Sequence, residues 1–135
     1  MEIARQYEAF AYRIEAARLP DDTELNIEEV ESHPMLARML MREVYDQKGP
    51  AAFHSTFSNY VDPNGIYYIA RGPDKTMHAV AHATHGPKSI TLNDIGSSSV
   101  APFGAGTKIL QQIAQRAQEN DSKLRVVGVV ANARN

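Results

Sequence analysis

At the start of the chain the apolar positions recur at helical spacing. Ile3, Tyr7, Phe10, Ile14 and Ala17 fall every three or four residues, which predicts an amphipathic helix over 3–18 that ends before Pro20. The next stretch, ELNIEEV, alternates instead, with Leu25, Ile27 and Glu29 on one side, the pattern of a short strand. Ser32 and Pro34 announce a second helix, striped by Met35, Leu36, Met39, Leu40 and Val44 and stopped by Gly49-Pro50. Residues 51–60 are expected to form another short helix before the turn residues DPNG.

From there the period changes. GIYYIA, MHAVAHATH and SITLNDI are separated by the turns GPDKT and GPK, which predicts an antiparallel meander of three strands. A helix follows Gly106, with Ile109, Leu110, Ile113, Ala114 and Ala117 on one face. KLRVVGVVA is then apolar almost without interruption, so residues 124–131 are expected to be an interior strand, buried on both sides. Gly128 within it fits a bulge or the close approach of a neighbour. The order α-β-α-α-β-β-β-α-β predicts an α+β domain with a mixed, mainly antiparallel sheet flanked by helices.

Composition narrows the class. A chain of 135 residues is one domain by the usual prior, and 43% hydrophobic with 22% charged residues is a soluble globular composition. No apolar run approaches the roughly 20 residues that cross a bilayer, and MEIARQYEAF is not a signal peptide, so no membrane partner is expected. The absence of cysteine excludes disulfides, thiolate nucleophiles and Cys-based zinc sites, and fits a cytoplasmic location. Residues 1–31 hold nine acids against three Arg, within an overall net charge of −2. No basic cluster interleaved with aromatics points to nucleic acid, and the acidic run DDTELNIEEVE reads as a solvated surface.

The stretch SSSVAPFGAGTKILQQIAQRA carries the first candidate chemistry. Gly104 and Gly106 leave the backbone uncovered where a helix begins and its dipole is positive, an arrangement that suits an anion. A Walker-type phosphate loop is excluded because Thr107 precedes Lys108. His78, His82 and His85 invite a metal, but on a strand His78 and His82 stand about 13 Å apart and His85 faces the other way. No metal site is expected.

Element order and the APFGAG segment together resemble the GCN5-related N-acetyltransferase (GNAT) superfamily over residues 23–135. Gly104 and Gly106 match the last part of that family's pyrophosphate motif, Gln/Arg-x-x-Gly-x-Gly/Ala, and Ile109-Leu110 fall where its helix carries an aliphatic pair. ANARN at 131–135 is similar to the segment that begins the next helix. The motif's first position is Ala101, and the family's helix with a general-acid Tyr and its last two strands have no counterpart. The resemblance implies a GNAT-like domain over 21–135 with an extra helix over 1–20. It implies an acetyl-CoA-dependent N-acetyltransferase in which Phe103, Gly104, Ala105, Gly106 and Thr107 hold the coenzyme. Asp94 or His82 would serve as base toward an amine acceptor, which could be a small amine, a Lys side chain or a protein N-terminus. The alternative is a GNAT-like interaction module without catalysis. An open strand edge would be covered by the N-terminal helix or by a second copy in a homodimer.

Overall fold

The structure, a computed structural model, describes residues 18–47, 62–98 and 100–127. The helices expected over 3–18 and 51–60, together with Gly128 and ANARN, lie outside the described residues. Strand β1 is Asn26–Glu31 and helix α1 is Pro34–Asp46. Strands β2 (Ile66–Arg71), β3 (Met77–His85) and β4 (Ser89–Ser97) form the expected meander, followed by helix α2 (Ala105–Glu119) and strand β5 (Lys123–Val126). The sheet runs in the order β1-β2-β3-β4-β5, antiparallel except for the β4–β5 pair, which α2 connects as a parallel crossover.

Alternation along the strands sorts side chains to two faces. Tyr68, Ala70, Ala79, Ala81, Ala83, Ile90 and Leu92 face α2, which answers with Ala105, Ile109, Ile113 and Ala117. These four recur at one-turn spacing, and the alanines of β3 present a flat floor on which the helix sits closely. Ala114, expected on this face, is exposed. The opposite face carries Tyr67, Ile69, Met77 and Val80 against Ala37, Leu40 and Val44 of α1. Here the expected stripe is corrected: Met35 and Met39 are 64% and 62% exposed. The sheet beneath α1 already carries large side chains, so a small residue at position 37 lets helix and sheet approach.

Two further corrections concern polar groups. The cap of α1 is His33, whose Nδ1 accepts from the Leu36 amide at 3.2 Å, while Ser32 is buried and donates to the Asp62 carbonyl at 2.7 Å. The acidic run is not simply solvated. Glu29 lies on the α2 side of β1, where Arg116 and Gln112 bind its carboxylate at 2.7 and 2.9 Å. Glu28 and Glu43 share Arg71, at 2.9 and 2.6 Å, and so tie β1 and α1 to β2.

The strand after α2 departs most from expectation. Lys123–Val126 is exposed throughout, with Leu124 37% and Val126 55% accessible. Among the described residues β5 is the sheet's edge, bonded to β4 alone. A continuous apolar run signals burial only when neighbours exist on both sides, and pattern alone does not supply them. No helix of the described residues is long and apolar enough to cross a membrane.

Candidate functional site

The parallel pair β4–β5 is short. Its register runs from Ser89–Lys123 to Leu92–Val126, and the Val127 amide adds a last bond to the Leu92 carbonyl at 3.0 Å. Beyond Leu92, strand β4 continues to Ser97 while keeping only its β3 partner among the described residues. Among the described residues the pairing therefore ends at Leu92, at the carboxyl end of a parallel β-α-β unit. In open α/β sheets ligands bind beyond such strand ends.

An irregularity sits where the pairing stops. His82 faces Asp94 and Ala83 faces Leu92, so Asn93 is an extra residue in β4, a bulge. The bulge resets the alternation. Leu92 belongs to the α2 face and Ile95 packs on that same cluster, which leaves Asn93 with His82 on the α1 side. Ile95 also reaches the start of α2: its Cδ1 would lie 3.7 Å from a Cβ placed on Gly106. The bulge and the helix start thus adjoin.

At that helix start Gly104 is the N-cap, at φ +85°, with nothing within 4 Å of a notional Cβ and no side chain to cap the first turn. The Ala105 amide donates to the Pro102 carbonyl at 3.2 Å, and the Lys108 amide to Gly104 at 2.9 Å. Among the described residues the amides of Gly106 and Thr107 have no acceptor, so two donors of the first turn stand open. Phe103 and Thr107 are exposed, whereas Ala105 is buried against the sheet. Of the five candidate loop residues, Ala105 thus contributes packing and the others line an open surface.

Ala101 is buried in the cluster beneath α2. A cation nevertheless reaches this loop from elsewhere. Arg18 donates to the Ala101 carbonyl at 3.0 Å and lies over the Phe103 ring, 4.3 Å from its centroid. The Leu19 amide bonds the Val100 carbonyl at 2.9 Å, which fixes this approach. Arg18 was invisible as a site residue because 83 positions separate it from Ala101.

The candidate bases differ. Asp94 is half-buried, and its Oδ1 accepts from the Ile95 amide at 2.9 Å. His82 is only 4% exposed and both its ring nitrogens are engaged, Nε2 with the Asn64 carbonyl at 2.6 Å and Nδ1 with the Asn93 amide at 3.1 Å. The ring is thus held at both nitrogens by groups of the chain itself. His78 shares its face, and burial holds its pKa below the ordinary value. His85 lies on the α2 side, its Nε2 2.9 Å from the Tyr68 hydroxyl.

Known structures share this fold. The chain superposes on the aminoglycoside N-acetyltransferase AAC(6')-Iy, solved in complex with CoA, with a TM-score of 0.54 over 85% of this chain and 84% of that one, at 10% identity. The fold is that of the GNAT acyltransferases. A protein of Deinococcus radiodurans R1 described as an acetyltransferase matches the GNAT fold here at a TM-score of 0.51 and 10% identity, over 79% of this chain and 74% of its own. No protein-family model and no curated protein matches the sequence. The GNAT resemblance carried by element order therefore holds for the fold, a mixed, mainly antiparallel sheet flanked by helices.

Proposed function

We propose that this chain binds acetyl-CoA and transfers its acetyl group to an amine. One observation carries the reading: the uncapped, glycine-opened start of α2 adjoins the β4 bulge, where the β4–β5 pairing of the described residues ends. The open amides of Gly106 and Thr107 and the positive end of the helix fit a pyrophosphate, and Phe103 and Gly104 keep the approach clear. Arg18 adds a guanidinium to the same loop, in place of the charged or amide side chain that Ala101 lacks. When bound, the coenzyme supplies the acetyl group as a thioester. Asp94 would take the proton of the attacking amine, directly or through water, as the C–N bond forms and the thioester C–S bond breaks. The acetyl group would stay on the amine as an amide and coenzyme A would leave as its thiolate. The acceptor is a small amine, a Lys side chain or a protein N-terminus.

A second reading, a GNAT-fold module that binds a partner without catalysis, is favoured by the exposed apolar edge of β5. Thermal melts separate the two. Acetyl-CoA at a hundredfold excess over its dissociation constant should raise stability by about 2.7 kcal/mol, and adenosine diphosphate at the same concentration should do less. No shift with acetyl-CoA discards the acetyl-transfer reading and leaves the module.

A further inference from the structure

The geometry points to His82 as a positioning residue, held as the Nε2–H tautomer, that pins the β4 bulge where the described β4–β5 pairing ends. The starting point is the one partner whose role is beyond choice. A backbone carbonyl can only accept, so the 2.6 Å contact between Nε2 and the Asn64 carbonyl puts a proton on Nε2. In the neutral ring Nδ1 is then a bare acceptor. Asn93 meets it with its amide nitrogen at 3.1 Å, and the second hydrogen of that amide goes to Thr84 Oγ1 at 2.7 Å. Each donor in this chain finds one acceptor, and no other tautomer satisfies it without turning the Asn93 amide round.

The pin is itself held. Tyr67 packs against the ring at 4.7 Å between centroids, and its hydroxyl accepts from the Asp62 amide at 2.7 Å. Gly65 stands so close that a Cβ there would meet Nε2 at 2.6 Å. Ser32 fastens the same loop from the other side, through its amide to the Gly65 carbonyl at 2.8 Å and its hydroxyl to Asp62. His82 thus joins the loop before β2 to the extra residue of β4, immediately after the last β4–β5 pair. Without it the bulge keeps only the Thr84 bond on this face. Asp94, the next residue, would lose its fixed register opposite His82.

The tautomer can be tested whatever the chain's activity; only the turnover arm rests on the acetyl-transfer reading. Nitrogen-15 spectra of the ring, assigned by loss of the signals in His82→Gln, should show Nε2 protonated and Nδ1 bare near neutral pH. An Nδ1–H ring, or averaging between tautomers, overturns the proposal. In Asn93→Asp the carboxylate can only accept, so Nδ1 loses its donor and the nitrogen-15 pattern of the ring should change; an unchanged pattern also counts against the proposal. For turnover, Gln can donate to Asn64 and accept from Asn93, so His82→Gln should keep kcat within a few-fold. His82→Ala should lose roughly 10²-fold, the cost of small misplacement, with the KM for coenzyme little changed. Equal loss in both variants, each shown by melting to be folded, assigns proton transfer to His82 and removes the positioning role. If the parent shows no acetyl transfer, that failure belongs to the proposed function, and the two spectroscopic outcomes decide the pin.

Discussion

Two glycines of this chain are used in opposite ways. Gly65 combines φ +85° with contacts that leave no room for a side chain, 2.6 Å to His82 Nε2 and 2.7 Å to the Ala83 carbonyl. Gly65→Ala should therefore destabilise by more than the roughly 1–2 kcal/mol of a left-handed backbone alone, because the ring and a strand carbonyl must also shift. Urea unfolding of the two proteins measures it, and a loss under 1 kcal/mol would mean the loop yields freely. Gly106 has only Ile95 Cδ1 at 3.7 Å, an ordinary contact. Gly106→Asp should leave the melting temperature nearly unchanged while abolishing coenzyme binding, since it sets a carboxylate beside the two open amides. Calorimetric titration that finds parent affinity would remove the loop from the site.

At the scale of elements, α2 is bound to the sheet by more than its apolar stripe. Arg116 and Gln112 grip Glu29 of β1, and these bonds hold the Glu29 pKa below its ordinary value. Nearby, burial pushes the Tyr68 hydroxyl up to about 12 and holds the His85 ring down. The signs agree on the acid side. A depressed carboxylate contributes stability above its unfolded pKa and loses it as pH falls through the folded one. A depressed imidazole acts in the same direction, because the unfolded chain takes its proton first. Stability should thus begin to fall below about pH 6.5, through His78 and His85, and fall further in the carboxylate range through Glu29. Glu29→Gln should remove that lower stage, so its melting temperature should drop less between pH 5 and pH 3 than the parent's, on the ordinary carboxylate scale of about 4. An identical drop would show that the Glu29–Arg116 pair contributes nothing to the acid limb. Packing sets the other half of this attachment. Ile113 is fully buried, and Ile113→Ala should cost about 2–5 kcal/mol in chemical denaturation.

For the whole molecule, the unusual surface is the edge of β5. Leu124, Val126 and Val127 are exposed on a strand with one partner among the described residues, which is a template for further pairing. Self-association through this edge is the expected behaviour. Sedimentation velocity should show a concentration-dependent increase in mass that Val126→Lys reduces, while circular dichroism stays unchanged because the Val126 side chain is more than half exposed and belongs to neither core cluster of the described residues. A monomer at every concentration in both proteins would mean that the edge is covered within the chain.

Much of this architecture was legible in the residue order. The meander was readable because period-two runs stood between Gly- and Pro-containing turns, and α2 because its stripe began at a glycine loop; both are local signals. The open amides at the start of α2 were readable for the same reason, since a helix start exposes its amides whatever surrounds it. Local pattern could not say which apolar residues would meet a neighbour. Met35, Met39 and Val126 have core chemistry and lie outside the core, because burial depends on what packs opposite. Nor could it join Arg18 to Phe103, or His82 to Asn64 and Asn93. Only the pairing of β3 with β4, displaced by the extra residue at Asn93, brought that residue's side-chain amide to the His82 ring. Hydrogen bonds of that kind are satisfied in space, between groups the chain order keeps apart.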